Sequence, residues 1–167
     1  MLVHRGGEYE GSLRDIIHAF KYEGRRSLAA PLAALIRDAG AWKLDDAACV
    51  VPVPLHPLRR LQRGFNQSAD LARHLGPPVV HALWRTRLTA PQAGLDAAAR
   101  RRNVRGAFRL SPLLRRSVRN ALIEDRVVVL VDDVRTTGAT LQACAGVLQE
   151  AGAREVRTLT VATRRWS

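Results

Sequence analysis

The sequence predicts an α/β fold in which helices flank a central, mainly parallel β-sheet. Three observations support this prediction. The run Val127–Val131 is an unbroken aliphatic series, which is typical of a strand that is covered on both faces. Short apolar runs of this kind alternate along the chain with segments of helical spacing, as in parallel α/β proteins. With 167 residues, 47% of them hydrophobic, the chain is long enough to bury the core of one domain.

Residues 1–45 are predicted to form a helical cover over one side of the sheet. Ser12 begins a pattern similar to a capping box in front of apolar residues at helical spacing, and this first helix is expected to end near Gly24. Ser27 can cap a second helix, which Gly40 would end. We therefore expect two helices before the first strand of the sheet.

Residues 46–167 are predicted to carry the sheet, within a single domain that spans 1–167. The proline-rich segment Pro52–Pro57 cannot pair regularly and is predicted to be a loop of fixed shape. The predicted strands are Ala47–Val51, Val79–Trp84, Val127–Val131 and Val156–Ala162, and the predicted helices between them are Asn66–Leu75 and Thr140–Ala151. No segment is long enough, or apolar enough, to be a linker to another domain or a membrane span.

Two carboxylates, Asp132 and Asp133, directly follow the predicted strand Val127–Val131. Ligands of open α/β sheets bind beyond the carboxyl ends of the strands, so both acids are expected at the ligand edge. Carboxylates accept hydrogen bonds from vicinal hydroxyls, and they can approach a hydrated Mg²⁺. The pair therefore predicts a ribose site, with Mg²⁺ as a cofactor held directly or through water.

A turn rich in hydroxyl groups follows the acids and leads into a helix. Backbone N–H groups at a helix start can surround a phosphate, and Gly138 removes the β-carbon where the chain must curve around the anion. An acid pair also occurs in phosphoacceptor receiver domains, and Thr-Thr-Gly alone could be an ordinary turn. The late position of the acids, joined directly to this turn, favours a phosphate cradle. Its predicted members are Arg135, Thr136, Thr137, Gly138, Ala139 and Thr140.

This order of strand, Asp-Asp, a variable pair and Thr-Thr-Gly-Ala-Thr resembles the phosphoribosyl diphosphate (PRPP) motif of type I phosphoribosyltransferases. The resemblance implies the type I phosphoribosyltransferase fold. It also implies that the acids contact the ribose 2′ and 3′ hydroxyls and that the turn binds the 5′-phosphate. The loop after the first core strand contacts pyrophosphate in that family, which places Val53, Pro54, Leu55 and His56 near the diphosphate.

Three further segments look like the ComF family of competence-associated, phosphoribosyltransferase-like proteins. They are Val51–Pro57, Arg63–Gln67 and a spaced set formed by Arg85, Arg87, Thr89, Gln92, Leu95, Arg100, Asn103, Val104, Ala107 and Phe108. Many members of that family carry an N-terminal four-cysteine zinc-binding segment, whereas this chain has only Cys49 and Cys144. Both cysteines are interpreted as small buried residues, and the resemblance does not extend to zinc binding.

The segment Arg87–Arg105 has the arginine density of a mobile lid, although Asp96–Asn103 also suits a short exposed helix. A lid arginine could neutralise the departing diphosphate, so Arg87 and Arg105 join Asp132 and Asp133 as candidate catalytic residues. Two interpretations stay open for the polar residues before the helix that follows the proline-rich loop: they position that loop or approach the ligand, or Asn66 merely caps the helix. The residues concerned are Arg63, Asn66 and Gln67.

The formal net charge of +12, from 27 Lys and Arg against 15 Asp and Glu, favours an anionic ligand or partner. Arginine clusters at 59–60, 100–102 and 115–116 suit either a solvated surface or contacts with polyphosphate or nucleic acid. The resemblance to the PRPP motif implies transfer of ribose 5-phosphate from Mg²⁺-PRPP to an unidentified nucleophile, with release of pyrophosphate. We expect a cytoplasmic protein, because no apolar stretch is long enough to span a bilayer and the first residues do not form a signal peptide. The alternative is a non-enzymatic competence or DNA-uptake component that retains the fold. Candidate partners are single-stranded DNA, a protein of the competence machinery and a second copy of the chain as a homodimer.

Overall fold

The computed structural model describes residues 3–87 and 106–164, which form six strands and six α-helices. The strands are β1 (Val3–Glu8), β2 (Cys49–Pro52), β3 (Leu83–Arg85), β4 (Phe108–Leu110), β5 (Val127–Arg135) and β6 (Glu155–Thr163). The helices are α1 (Gly11–Tyr22), α2 (Ala29–Gly40), α3 (Pro57–Arg63), α4 (Gln67–Ala72), α5 (Arg116–Leu122) and α6 (Ala139–Glu150). Short 3₁₀ turns at Arg26–Leu28 and Ala41–Lys43 flank α2.

The central sheet has four strands in the order β1-β6-β5-β2, and every pairing in it is parallel. Strand β6, the last of the described strands, lies between β1 and β5. Strands β3 and β4 form a separate antiparallel pair in which Arg85 lies opposite Phe108. The predicted α/β fold with a parallel central sheet is confirmed.

Two apolar clusters, one on each face of the sheet, make up the core. Successive residues of β5 alternate between them: Val128 and Leu130 belong to the cluster under α6, and Val129 and Val131 to the cluster under α1, α2 and α4. A strand alternates its side chains between the two faces, so an unbroken aliphatic run is the pattern that burial on both sides requires. The sheet is therefore the middle of three layers.

Several elements differ from the sequence prediction. Strand β1 was not expected, because Val-His-Arg-Gly-Gly-Glu is polar and has no apolar alternation; it pairs with β6 along the edge of the sheet. The predicted strand Val79–Trp84 is reduced to a single bridge between Val79 and Val50 and to the short strand β3. Helix α3 begins at Pro57 in the segment predicted as a loop, since proline is well suited to the first turn of a helix.

Helix boundaries also shift slightly. Helix α1 begins after Glu10 with no side-chain cap, and Ser27 lies inside a 3₁₀ turn instead of capping α2.

Cys49 and Cys144 are both buried, as predicted. None of the helices in the described part of the chain is long and apolar enough to cross a membrane.

Candidate functional site

All four strands of the central sheet end at the same edge, because they are parallel. The residues that follow their carboxyl ends line a cleft of about 310 Å³. Tyr9 follows β1, Val53 follows β2, Asp132 and Asp133 lie near the end of β5, and Arg164 follows β6. The cleft therefore occupies the position at which open α/β sheets bind their ligands.

The two acids of this cleft are held by different partners. Asp133 Oδ2 lies 2.9 Å from Nζ of Lys21 on α1, and its Oδ1 accepts a 2.6 Å hydrogen bond from the N–H of Val134. Asp132 Oδ1 accepts hydrogen bonds from Ser68 Oγ at 3.0 Å and from the N–H of Asp133 at 2.9 Å. The acid pair is thus oriented by groups from α1, α4 and its own strand.

The neighbouring charges shift the pKa values of Asp132 and Lys21. Burial raises the pKa of Asp132 to about 7; Asp133 adds to the rise, and Lys21 and two hydrogen bonds oppose it. Burial also acts against the charged form of Lys21, but its ion pair with Asp133 and the nearby Asp132 outweigh this effect and raise the pKa of Lys21. Lys21 therefore stays charged beside the acid pair, and burial favours the protonated form of Asp132.

The predicted phosphate turn lies between β5 and α6. Gly138 has φ +77°, a left-handed conformation, and a β-carbon at this position would lie 3.1 Å from Arg135 Nε. Thr136, Gly138 and Thr140 line the cleft together with Arg135. The turn thus combines the start of a twelve-residue helix with an arginine side chain, a combination that suits an anion.

The loop after β2 lines the same cleft as this turn. The N–H of Val53 donates to the carbonyl of Val131 at 3.0 Å, which continues the pairing of β2 with β5. Asn66 Nδ2 donates to the carbonyl of Val53 at 3.1 Å, while Asn66 Oδ1 accepts from the N–H of Ser68 at 3.1 Å and caps α4. Asn66 therefore performs both functions that the sequence left open: it caps a helix and it positions the loop.

Several predicted site residues are not brought to the cleft. His56 caps α3, its Nδ1 accepting from the N–H of Leu58 at 3.3 Å, so its side chain serves the helix instead of the cleft. Thr137 and Ala139 are also absent from the cleft wall; Thr137 Oγ1 accepts from the N–H of Ala139 at 3.5 Å. Arg87 is exposed and does not line the cleft. Arg105, with most of the proposed lid, lies outside the described residues.

Sequence reasoning missed most of the cations that line the cleft. Arg85 takes the place expected of Arg87: its side chain is buried and its guanidinium lies 5.3 Å from the ring centroid of Phe108. Burial lowers the pKa of Arg85, and Arg59 lowers it further. The cationic side chains that line the cleft are Lys21, Arg59, Arg63, Arg85, Arg135 and Arg164.

These cations face two acids, Asp132 and Asp133, so the cleft walls carry an excess of positive charge. Arg63 is also held in place, because its guanidinium lies 4.9 Å from the ring centroid of Tyr22 and donates to the Tyr22 hydroxyl at 3.3 Å and to Gln67 Oε1 at 3.3 Å. A ligand with several negative charges and at least one pair of hydroxyl groups fits this arrangement.

Residues 61–166 match the family model of the phosphoribosyl transferase domain. The chain belongs to this phosphoribosyl transferase family. The matched segment includes β3 to β6, the acid pair and the phosphate turn. The predicted type I phosphoribosyltransferase fold is thus confirmed. A solved structure described as the allosteric regulatory enzyme of purine biosynthesis supports the same fold, with a TM-score of 0.50 and 24% identity over 81% of this chain and 25% of that chain.

Curated relatives match nearly the whole chain. Competence protein F of Haemophilus influenzae is 34% identical over 163 residues, which cover 90% of this chain and 68% of the relative. DNA utilization protein YhgH of Escherichia coli K12 is 35% identical over 163 residues, which cover 90% of this chain and 66% of the relative. The chain thus spans about two thirds of the length of these relatives, and the resemblance to the ComF family is confirmed.

Proposed function

We propose that the cleft binds phosphoribosyl diphosphate and that the protein transfers its ribose 5-phosphate to a nucleophile, releasing pyrophosphate. The observation that carries the proposal is the convergence of an oriented acid pair, a glycine turn at a helix start and several cations in one cleft of a phosphoribosyl transferase domain. Each part suits one part of the ligand: the acids suit the ribose hydroxyls, and the turn suits the 5′-phosphate.

In this proposal the chain acts mainly by positioning and by charge. Asp132 and Asp133 accept hydrogen bonds from the two ribose hydroxyls and hold the ring. Backbone N–H groups near Gly138 bind the 5′-phosphate, and the loop at Val53–Leu55 binds the diphosphate. Arg85 lines the cleft on β3, which pairs with β4 at this residue, and it is assigned to stabilise the negative charge of the leaving diphosphate.

In this proposal Mg²⁺ binds together with the diphosphate of the ligand, whose oxygens suit this cation. The acceptor nucleophile is unidentified. A cytoplasmic location and a homodimer are further parts of the proposal and rest on the sequence alone.

Binding is tested by calorimetry with Mg²⁺-PRPP and with ribose 5-phosphate, comparing the wild type with Asp132→Asn. The asparagine can still accept from Ser68, so the fold should persist, while affinity for both ligands should fall at least about tenfold because one ribose acceptor loses its charge. Asp38→Asn is the matched control, since Asp38 is exposed on α2 and does not line the cleft. Unchanged affinity in folded Asp132→Asn protein would remove the ribose assignment.

Turnover is tested separately, by measuring pyrophosphate release from Mg²⁺-PRPP in the presence of a panel of nucleobases and amines. Release that depends on one acceptor and disappears in Asp132→Asn supports transfer. Tight PRPP binding without release across the panel favours the second candidate function, a competence or DNA-uptake component that uses PRPP or a nucleotide as a structural or regulatory ligand. The names of the two relatives, Competence protein F and DNA utilization protein, favour this alternative.

A further inference from the structure

Lys21 is the cation in closest contact with the acid pair among the described residues. It is the penultimate residue of α1, and its Nζ lies 2.9 Å from Asp133 Oδ2, with only 17% and 11% of the two side chains exposed. Helix α1 is anchored against the sheet by Ile17 and Phe20, both of which are fully buried. The ammonium group is therefore held beside Asp133 by the packing of a whole helix.

Three of the four carboxylate oxygens of the acid pair are already engaged by protein groups. One Asp133 oxygen faces the Lys21 ammonium and the other accepts from the N–H of Val134, while Asp132 Oδ1 already accepts two hydrogen bonds. Within residues 3–87 and 106–164, no group of three His, Cys, Asp or Glu side chains could hold a metal ion, so a cation at the acids would take its remaining ligands from water or the substrate. A divalent cation coordinated by Asp133 would stand next to a fixed ammonium, which like-charge repulsion opposes.

We propose that Lys21 is a built-in counter-charge for the acid pair, so that the cleft binds ribose 5-phosphate without a divalent metal. This inference rests on the proposed function and concerns the same site. Lys21 is a positioning residue: it neutralises one acid, fixes the rotamer of Asp133 and leaves the carboxylates able to accept hydrogen bonds. Each carboxylate oxygen has two lone pairs, so an oxygen that already accepts one hydrogen bond can accept another from a ribose hydroxyl.

A counter-charge at Lys21 changes which ligands are expected to need Mg²⁺ for binding. The role of neutralising the ribose acids would belong to the protein, and Mg²⁺ would be needed only by ligands that bring a diphosphate. Ribose 5-phosphate lacks the diphosphate, so it separates the two roles. Its affinity should be independent of Mg²⁺ in the wild type and should become dependent on Mg²⁺ when the lysine charge is removed.

The experiment is a calorimetric titration of ribose 5-phosphate, in EDTA and in millimolar Mg²⁺, for wild type, Lys21→Met and Lys21→Arg. The wild type should bind equally in both buffers, within about twofold. Lys21→Met should bind at least about tenfold more weakly in EDTA, because two neighbouring acids are left without their counter-charge, and Mg²⁺ should restore much of the loss. Lys21→Arg keeps the charge and should remain independent of the metal.

Arg37→Met is the matched control, because it removes one positive charge from an exposed position on α2 that does not line the cleft. It should bind as the wild type does in both buffers. Circular dichroism checks that Lys21→Met folds; if it does not, ribose 5-phosphate binding that requires Mg²⁺ in the wild type or in Lys21→Arg would still overturn the role of Lys21.

The outcomes separate the role of Lys21 from the proposed function of the cleft. Wild-type binding that requires Mg²⁺, or a Lys21→Met variant that binds as tightly as the wild type in EDTA, overturns the role of Lys21 and leaves the ribose site intact. Absence of ribose 5-phosphate binding in both buffers overturns the proposed function, and with it the inference.

Discussion

Asp132 and Asp133 are neighbours in one strand, yet they have different surroundings. Asp133 is paired with Lys21, whereas Asp132 accepts from Ser68 and has a pKa of about 7 through burial. A carboxyl group whose pKa is raised on folding stabilises the fold below its unfolded pKa, and this contribution is lost as the pH rises through the folded value. The charged form of Asp132 therefore costs stability at the pH at which it would serve a ligand.

Asp132→Asn should consequently stabilise the protein at pH 8, by about 1 to 4 kcal/mol. The gain should disappear near pH 4, where Asp132 of the wild type is protonated. Urea unfolding of both proteins at pH 4, 6 and 8 measures the difference. A variant that is less stable than the wild type at pH 8 would show that the carboxylate is well solvated by its neighbours.

Gly138 allows a second comparison between single residues. Gly138→Ala and Gly24→Ala both place a side chain at positive φ, +77° and +66°, so each should cost about 1 to 2 kcal/mol of stability. Only the first places a methyl group 3.1 Å from Arg135 in the phosphate turn, whereas nothing lies within 4 Å of the second. Ribose 5-phosphate affinity, measured by calorimetry, should fall at least about tenfold in Gly138→Ala and stay near wild type in Gly24→Ala. Equal affinities would place the phosphate elsewhere.

Helix α4 and the loop after β2 are joined through Asn66, so the position of the loop depends on the residue that caps a neighbouring helix. One side of the amide caps the helix, and the other donates to the Val53 carbonyl. Replacement by alanine removes both bonds, and replacement by aspartate keeps only the cap. The two substitutions therefore separate helix stability from loop position.

Asn66→Ala should lose about 1 kcal/mol of stability, and Asn66→Asp should lose less, since aspartate is an equally good cap. Both should weaken PRPP binding more than ribose 5-phosphate binding, because only PRPP brings a diphosphate to the loop. Chemical unfolding and paired calorimetric titrations provide the two readouts. An unchanged ratio of the two affinities in Asn66→Asp would mean that the loop keeps its shape without this bond.

Elements with a buried apolar pattern could be predicted from the sequence, and those held by tertiary contacts could not. Strand β5 was evident because Val127–Val131 is aliphatic throughout, although pairing with β6 extends it to Arg135. Strand β1 has no such pattern and exists because the β6 edge offers it partners from Val3 to Glu8. The same distinction holds in the site: the acids follow a visible strand, whereas Lys21 reaches them from another part of the chain.

The whole molecule carries a net charge of +12, and part of this excess lies in the cleft. Arg100, Arg101 and Arg102 lie outside the described residues, so their role is a prediction from the sequence. If they contact single-stranded DNA, changing all three to alanine should weaken that binding and reduce the slope of log K against log salt by about 2. PRPP affinity should change less.

Fluorescence anisotropy with a labelled oligonucleotide over a salt series measures this slope, beside calorimetry with PRPP. Arg59→Ala is the opposite control. Arg59 lines the cleft, so its loss should weaken PRPP binding more than DNA binding. Loss of PRPP binding alone in the triple variant would assign these arginines to the cleft.

The strand order has a consequence for synthesis on the ribosome. Strand β1 pairs only with β6 among the described strands, and about 150 residues separate the partners Val3 and Thr158. At 5 to 20 residues per second, β1 waits roughly 8 to 30 s before its partner has been translated. Near the end of that interval, once β5 has been translated, the nascent chain also presents an unpaired edge of β5, since β6 fills the place beside it. Nascent chains stalled before β6 should therefore depend on chaperones, whereas chains released after β6 should close the sheet and the cleft together.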